Sequence, residues 1–184
     1  MLFPGRKLIE TEEHKPAIIK HYITPNIETV EYEIKPFKVL DQLFEKILVK
    51  NKRDINKCND GIYPLISQAT KHNGISKFID VYDFDFEENV ITVSNDNAGV
   101  SYVQTGKFSL TKDIHLLKLK PEYKYLNDLL HFIALIMTIQ FSKNYEWGLG
   151  LNSTCLNREY IRLPTIDGKI TLEAIEAFIH HPHN

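Results

Sequence analysis

The sequence predicts an α+β domain in which a twisted, mixed or antiparallel β-sheet packs against a buried helix, with short helices at its flanks. The sheet is predicted from three β-rich runs: Tyr63–Ser67, Val90–Ser94 and Val100–Gln104. Turn residues separate these runs, at His72-Asn73-Gly74, Glu87-Glu88-Asn89 and residues 95–99. Asn-Gly tolerates positive φ and marks a tight reversal of the chain. The long apolar run Tyr125–Phe141 predicts the buried helix.

Length and composition fit one domain with a substantial core, because the chain has 184 residues of which 43% are hydrophobic. The net charge of −2 argues against indiscriminate nucleic-acid binding, which depends on clustered cations, but permits a local basic patch. Cys58 and Cys155 are too few for a disulfide framework, and no secretory signal is visible, so a cytoplasmic location is expected.

The order of segments predicts an N-terminal arm or linker over residues 1–35, a main domain over residues 36–180 and a tail over residues 181–184. The arm contains several prolines and possible short strands at Ala17–Tyr22 and Glu28–Ile34. An apolar stripe predicts a helix over Val39–Lys50, and Asp113–Lys120 reads as a half-buried strand. A C-terminal helix is predicted over Thr171–Ile179, capped by Thr171.

The run Tyr125–Phe141 is better explained by a buried core helix than by a membrane span. Its length falls short of the roughly 20 residues that a spanning helix needs, and polar residues interrupt it. His131 within it is expected to be a core histidine rather than a ligand. The following loop, residues 142–158, contains Trp147, which either anchors the loop to the core or contacts a base or sugar.

Catalytic motifs are missing from the sequence, so no catalytic residue, metal or cofactor is expected. A methyltransferase needs a cofactor-binding glycine turn and a tetrapeptide such as N-P-P-Y, and neither is present. Glu33-Ile34-Lys35 supplies part of a nuclease motif, which chance readily produces in a chain this rich in charges. The acidic strip at residues 83–88 is expected to be the solvent face of a strand whose Phe84 and Phe86 point inward, directed away from DNA.

Three ordered motifs connect these features to a known family: G-x-Y-P-L-I-S from Gly61, H-N-G-I from His72 and I-T-V-S-N-x-N-A-G-x-S-Y-x-Q from Ile91. Together with Phe37–Glu45 and Arg158–Pro164, they resemble the target recognition domain of type I restriction–modification specificity subunits and of combined methyltransferase–endonucleases. The resemblance covers roughly Lys35 to Ile179. It implies a non-catalytic domain that recognises one half of a bipartite site in double-stranded DNA and directs a methyltransferase there.

The expected partners are double-stranded DNA and a modification methyltransferase subunit, and the further candidates are a restriction subunit and a second recognition domain or a second copy of this chain. The helices at 39–50 and 171–179 would dock these proteins, and no membrane partner is expected. The predicted DNA-binding residues carry amide, hydroxyl, aromatic or cationic groups that suit base edges and groove surfaces. They are Lys71, His72, Asn73, Asn95, Asn97, Ser101, Tyr102, Gln104, Lys107, Lys143, Trp147 and Arg158. The predicted phosphate contacts are Lys52, Arg53, Lys57 and Lys77.

Two other functions remain open from the sequence alone. A non-catalytic protein-interaction scaffold of a phage-defence complex would explain the slightly negative net charge and the lack of a continuous basic strip. A nuclease built around Glu33 and Lys35 is the weakest alternative. The surface charge beside the loops at 71–77, 95–107 and 143–158 distinguishes DNA binding from a scaffold, because DNA requires a positive surface there.

Overall fold

The computed structural model describes residues 30–145 and 150–180, and those after Val30 belong to one compact unit, Glu31–Asn184. Its strands are β1 (Glu33–Lys38), β2 (Phe44–Ile47), β3 (Asp60–Ile66), β4 (Ile75–Ile79), β5 (Phe84–Ser94), β6 (Ser101–Leu110), β7 (Ile114–Leu119) and β8 (Tyr160–Thr165). Its helices are α1 (Leu130–Phe141), α2 (Ser153–Leu156) and α3 (Leu172–His180). Short 3₁₀ segments lie at Ile55–Lys57, His72–Gly74 and Pro121–Leu129.

Two sheets organise the described residues. The larger has six strands in the order β2-β7-β5-β6-β3-β4, and all of its neighbours are antiparallel except β3 and β6. The smaller sheet is an antiparallel ribbon of β1 and β8. The predicted α+β class with a mixed sheet is therefore confirmed. The predicted β-rich runs overlap β3, β5 and β6, with Ser67 and Val100 just outside these strands, whereas β4 was not predicted.

The six-stranded sheet has an apolar core on each face. On one face, Ile91 and Leu117 belong to the same buried cluster as Ile133 and Met137 of α1. On the other face, the sheet encloses a second cluster, formed by Ile66, Val90, Phe108, Leu110, Ile114 and Leu116. Each fully buried side chain of this size contributes roughly 1.5–3 kcal/mol, so both faces stabilise the sheet.

Strand β5 is longer than predicted and contains a bulge where the sequence predicts a turn. Phe86 lies opposite Gly106 and Val90 lies opposite Gln104, so residues 87–89 face a single residue of β6. Such a bulge bends a strand without ending it. The backbone N–H of Asn89 donates to Asn127 Oδ1 over 3.1 Å, which holds the bulge against the segment before α1. The Glu87-Glu88-Asn89 turn is thus corrected to a bulge.

The run Tyr125–Phe141 forms a helix only from Leu130 onward, because a 3₁₀ segment starting at Pro121 occupies its first part. The helix is buried on one side rather than on nearly all sides: Leu135 is 54% exposed and Ile139 is 43% exposed. His131 lies on this exposed side and is not a core histidine. Among the described residues, none of the helices is both long and apolar enough to cross a membrane.

The predicted helix over Val39–Lys50 is wrong. Asp41 adopts a φ of 70°, which ends any right-handed helix at this point. The chain then turns into β2, which pairs with β7 from Phe44↔Leu119 to Ile47↔Leu116. A helix is therefore not available here to dock a partner.

The C-terminal helix is confirmed as α3, at Leu172–His180. Thr171 caps it as predicted, because the N–H of Ala174 donates to Thr171 Oγ1 over 3.1 Å. Strand β8 precedes α3, and β1 pairs with β8 from Glu33↔Thr165 to Lys38↔Tyr160. The predicted boundary between arm and domain, at residues 35 and 36, lies inside β1, and the possible strand at Ala17–Tyr22 lies outside the described residues.

Candidate nucleic-acid interface

Four loops meet beside the C-terminal end of β5 and are joined by hydrogen bonds. They span residues 67–74, 95–99, 111–113 and 150–153, and we call them the loop cluster. Gln68 Nε2 donates to Asp96 Oδ2 over 2.9 Å. The N–H of Asn95 donates to the Asp113 carbonyl over 2.8 Å, and the N–H of Leu151 donates to the Asn95 carbonyl over 2.7 Å. Loops that are distant in sequence therefore form one continuous surface.

The turn at residues 71–74 is held in an uncommon backbone conformation. His72 and Asn73 have φ values of 53° and 56°, which non-glycine residues adopt rarely. Asn73 Nδ2 donates to the Val103 carbonyl over 2.9 Å and to Gln104 Oε1 over 3.1 Å. Gln104 Nε2 returns a bond to the Asn73 carbonyl over 3.0 Å. This reciprocal amide pair fixes the turn and leaves Lys71 and His72 exposed.

Gln104 is buried, and its amide also donates to Thr92 Oγ1 over 3.1 Å. Both amide hydrogens are thus engaged inside the protein. Ser101 is likewise buried, and its hydroxyl donates to the Gly99 carbonyl over 2.8 Å. We therefore assign Gln104 and Ser101 to holding the loops in place and leave them out of the proposed contacts with bases.

The loop at residues 95–99 contains two of the predicted base-reading amides. Asn97 Nδ2 donates to the Gln68 carbonyl, and its backbone N–H donates to Ser94 Oγ over 3.2 Å. Asn95 Oδ1 is buried without a hydrogen-bond partner among residues 30–145 and 150–180. Of the two amides, Asn97 is anchored through its NH₂ group, so its carbonyl oxygen is the group available to a ligand.

A shallow groove of about 350 Å³ runs along the exposed side of α1 next to the 71–74 turn. Tyr102, half-buried, contributes to its wall together with Thr70, His131 and Leu135. Burial raises the pKa of the Tyr102 hydroxyl, which therefore stays protonated and able to donate at neutral pH. Tyr102 is thus a predicted DNA-binding residue that lines this groove beside the 71–74 turn and α1.

The predicted cations fall into two groups, and the first is engaged with acidic partners. Arg53 makes a two-pronged ion pair with Asp83, including Nε to Oδ2 over 2.8 Å. Lys77 Nζ lies 3.0 Å from Asp60 and donates to the Cys58 carbonyl over 2.7 Å. These two cations hold loops and strands together, so we leave Arg53 and Lys77 out of the proposed phosphate contacts.

Two further predicted cations have looser partners. Lys57 lies 3.8 Å from Asp54 with most of its side chain exposed. Lys107 lies 3.9 Å from Asp85 and its Nζ is 4.7 Å from the centre of the Tyr82 ring, on the far part of β6 from Ser101. Lys107 therefore faces the acidic strip at Asp85 and the Tyr82 ring, and we leave it out of the proposed contacts with DNA.

The second group has no ion pair among the described residues: Lys52, Lys71, Lys143 and Arg158, to which the structure adds Lys112, a cation that was not predicted. All five are exposed. Lys71 and Lys112 belong to the loop cluster itself, and Lys143 follows α1, whose last residue, Phe141, packs against Gly99. Unpaired cations thus occur in and around the loop cluster, where a polyanion would be stabilised.

Three of the four acids of the acidic strip, Asp83, Asp85 and Glu88, are paired with cations from neighbouring elements. Glu88 lies 3.5 Å from Lys118 and 2.8 Å from Lys124. Burial on its own would raise the pKa of Asp83, but hydrogen bonds from Arg53 and Ser109 outweigh it and leave the pKa below its ordinary value. The Asp83 side chain is only 5% exposed, so Asp83 is not on the solvent face that was predicted.

The aromatic residues of this strip behave as predicted, because the rings of Phe84 and Phe86 stack on Phe108 in the second core. The nuclease alternative rests on Glu33 and Lys35, which form an exposed ion pair at 2.8 Å with each other. Within the part of the chain that the structure describes, no group of three residues is arranged to hold a metal ion.

Sequence reasoning missed a set of residues between β2, β7 and the last loop of the cluster. His115 is buried, and its Nε2 lies 2.7 Å from the Leu151 carbonyl, which makes that nitrogen the donor. Lys46 Nζ donates to Ser153 Oγ. The apolar stripe that wrongly predicted a helix over 39–50 concealed Lys46, and the contact between positions 46 and 153 has no local sequence signal.

The loop at residues 142–158 is described only in part, and Trp147 lies outside the described residues. Tyr145 packs against the main core and its hydroxyl donates to Glu159. Burial, followed by that hydrogen bond, raises the Tyr145 pKa. Tyr145 therefore anchors this loop to the core. Arg158, which precedes Glu159 in the sequence, remains exposed.

The sequence of the chain matches a known protein family over nearly all of its described residues. The family described as type I restriction modification DNA specificity domain matches residues 31–180. The chain belongs to this family. The resemblance inferred from the three motifs is thereby confirmed, and the match extends over the described sheet, α1 and α3.

Specificity subunits are also found among individual relatives. A putative type I specificity subunit of Mycoplasma pneumoniae is 40% identical over 89 residues, which are 48% of this chain and 24% of that protein. A second putative type I specificity subunit from the same organism is 28% identical over 110 residues, covering 58% of this chain and 36% of that protein. The chain therefore spans about a quarter to a third of the length of these relatives.

A solved structure has a similar fold. The crystal structure of the type I restriction–modification system S subunit from M. genitalium matches with a TM-score of 0.56 and 12% identity. The match covers 74% of this chain and 37% of that one. At this identity the likeness concerns the fold, and it agrees with the α+β arrangement of the specificity domain. The comparisons give no support to the protein-interaction scaffold.

Proposed function

We propose that this specificity domain binds double-stranded DNA sequence-specifically and recognises one half of a bipartite target site. The loop cluster is the proposed contact surface. The observation that carries the proposal is the distribution of cations: Lys52, Lys71, Lys112, Lys143 and Arg158, in and around the loop cluster, lack acidic partners among the described residues, whereas Arg53, Lys107, Lys118 and Lys124 pair with the acidic strip. A net charge of −2 is thus compatible with a locally positive surface.

Base reading is assigned to the exposed groups of the cluster. Asn97 can present its amide oxygen to a base amine, Lys71 can bind guanine, and His72 is displayed at the tip of a rigid turn. A turn held by the Asn73–Gln104 amide pair does not have to be ordered on binding, which lowers the entropic cost of recognition. Asn95, Tyr102, Lys143 and Arg158 border this surface, and Lys52 and Lys57 are left for phosphates.

The domain itself is proposed to be catalytically inert and to act in the cytoplasm. It would bring a modification methyltransferase subunit, and through it a restriction subunit, to the target. With the helix at 39–50 absent, α3 is the described helix that remains for docking. Leu172 and Ile179 on α3 are 52% and 58% exposed, which leaves apolar surface for a second recognition domain or another subunit.

The test is selection from a randomised duplex pool, performed with and without a type I methyltransferase subunit. The proposal expects enrichment of a short, asymmetric sequence by the domain, retained or sharpened by the methyltransferase. Recovery of random sequences at the same affinity in both arms would contradict it.

Single substitutions then separate base reading from phosphate binding. Asn97→Ala and Arg158→Ala should weaken binding to the selected sequence more than binding to random duplex, because a good base contact contributes roughly 1–3 kcal/mol of discrimination. Lys52→Ala should weaken both equally and reduce the salt dependence. Equal losses on both duplexes for Asn97→Ala would remove Asn97 from the reading residues.

A further inference from the structure

Lys46 is a cation without a counter-charge at the edge of the loop cluster. It projects from β2, and its ammonium group donates to Ser153 Oγ, in the loop that bonds to Asn95 through Leu151. No carboxylate lies within ion-pairing distance of it among residues 30–145 and 150–180. A hydroxyl is a neutral partner, so the positive charge remains uncompensated in the free protein.

A second cation lies close enough to raise the electrostatic cost of this arrangement. Although Lys46 as a residue is exposed, burial of its ammonium group lowers its pKa, and the charge of Lys52 lowers it further. Both lysines also lower the pKa of His115, after the larger effect of burial. Lys46 lies opposite Leu117 in the β2–β7 register, two positions from the buried His115, and an anion bound here would reduce the repulsion between Lys46 and Lys52.

The hydroxyl of Ser153 completes the donor set. Because Ser153 Oγ accepts a hydrogen bond from Lys46, its own O–H is directed elsewhere, and no hydrogen bond from it is made among the described residues. A tetrahedral anion could accept from Lys46, Lys52 and the Ser153 hydroxyl together, since phosphate oxygens accept several charge-assisted hydrogen bonds at once.

We infer that Lys46, Lys52 and Ser153 form a binding site for one backbone phosphate of duplex DNA, at the rim of the loop cluster. The inference rests on the proposed function, because it assumes that the cluster faces DNA. It assigns Lys46 and Ser153, which no sequence pattern singles out, to fixing the register of the duplex against the reading loops.

The experiment measures the affinity for a random duplex against salt concentration in the whole chain and in matched variants. Lys46→Gln should weaken binding by roughly three- to tenfold and reduce the slope of log affinity against log salt by about 0.9, the value for one lost phosphate contact. Lys46→Arg should restore most of both quantities, and Ser153→Ala should weaken binding without changing the slope. Lys124→Gln, which removes a cation paired to Glu88, is the matched control and should leave the slope unchanged.

Each outcome decides the inference. If Lys46→Gln lowers the melting temperature but leaves the slope as in the wild type, Lys46 only anchors the Ser153 loop, and the phosphate site is refuted. If Lys124→Gln reduces the slope equally, the effect is one of net charge, and the site is also refuted. If the wild-type chain binds no duplex, with or without the methyltransferase, the proposed function fails together with the site. Normal wild-type binding with an unaffected Lys46→Gln variant refutes the site alone.

Discussion

Gln104 illustrates how a residue chosen for reading DNA serves the architecture of the reading surface instead. Its side chain is buried between the 71–74 turn and strand β5, and it contacts Asn73 and Thr92. A glutamine can pair bidentately with adenine, but only when its amide reaches the surface. The Gln104 amide, which suggested a base contact, therefore holds His72 and Asn73 in their positive-φ conformation.

The first prediction concerns this amide. Gln104→Ala empties a buried position and removes the partner of the Asn73 carbonyl and one partner each of Asn73 Nδ2 and Thr92 Oγ1, so it should lower the free energy of unfolding by about 1–3 kcal/mol. Urea unfolding monitored by the fluorescence or circular dichroism of the chain measures this change. The exposed Asn157→Ala serves as control and should change stability little. Equal, small effects for the two variants would show that the amide pair does not hold the turn.

The second prediction concerns His115 and pH. Burial is the largest cause of its lowered pKa, so the folded protein keeps the imidazole neutral below the unfolded-state value of about 6.5. Between the folded and unfolded pKa values the unfolded state binds more protons, and stability therefore falls as the pH drops below about 6.5. Above that pH the contribution is fully present.

Urea unfolding at a series of pH values between 7.5 and 5, on the order of half a unit apart, tests this titration. His115→Gln keeps a donor for the Leu151 carbonyl and removes the titrating group, so its stability should depend less on pH than that of the wild type over this range. An identical pH profile for both proteins would show that His115 does not carry the dependence.

At the scale of elements, the contact between the 95–99 loop and the end of α1 is the tightest in the loop cluster. A Cβ at Gly99 would lie 2.8 Å from Phe141 side-chain atoms and 2.9 Å from Leu151 Cδ2, and the φ of Gly99 is 70°. Phe141 and Leu151 are fully buried, so they have little room to move. This glycine allows the loop, α1 and the 150–153 loop to meet.

Gly99→Ala is therefore predicted to lower the free energy of unfolding by about 2–4 kcal/mol, from overpacking together with left-handed backbone strain. Gly106→Ala is a matched control, since Gly106 has a φ of 69° with nothing within 4 Å of the added Cβ. It isolates the backbone cost, roughly 1–2 kcal/mol. Thermal and urea unfolding compare the two, and equal losses would mean that the close contact with Phe141 has no effect.

The elements that sequence could predict are those set by local chemistry. Turn residues placed β5, β6 and the 71–74 reversal, and Thr171 placed the start of α3. The stripe over 39–50 failed because short apolar runs suit helix and strand alike. In the structure, Asp41 has a positive φ and Phe44 pairs with Leu119, so the segment forms a strand. Pairing with a strand some 70 residues away cannot be recognised from the local sequence.

The candidate site was likewise predictable only where the local sequence determines its structure. The sequence placed the polar loops, because Asn, Gly, His and Ser mark turns wherever they occur together. It could not show which of their side chains are engaged, since Arg53 pairs with Asp83 and Asn73 with Gln104 across about thirty residues. The same limit concealed Lys46, whose hydroxyl partner is 107 positions away.

At the scale of the whole molecule, acidic side chains in different regions differ in whether a cation pairs with them. Asp83, Asp85 and Glu88 are each matched by a cation. Asp96, by contrast, lies in the loop cluster and accepts a hydrogen bond from neutral Gln68. Its negative charge would repel a DNA phosphate that lies beside it. Duplexes that bind with no phosphate next to Asp96 would therefore be favoured.

The fourth prediction follows from this contrast. Asp96→Asn should tighten binding to random duplex by roughly two- to fivefold, the effect of one surface charge, and so reduce the preference for the selected sequence. Asp85→Asn changes the net charge equally but lies by Lys107, and it should alter neither quantity. Binding isotherms on selected and random duplexes measure both, and matching effects of the two variants would show that the loop cluster is not the side that faces DNA.

The β1–β8 ribbon has a consequence for how such a domain can be exchanged. Glu33 and Thr165 are neighbours across the ribbon, so the polypeptide enters and leaves the sheet unit at nearly one point. A segment with adjoining ends can be transplanted into another host backbone without displacing what lies on either side. New DNA target preferences could then be acquired by transferring the whole unit, because each loop is transferred together with the strands that support it.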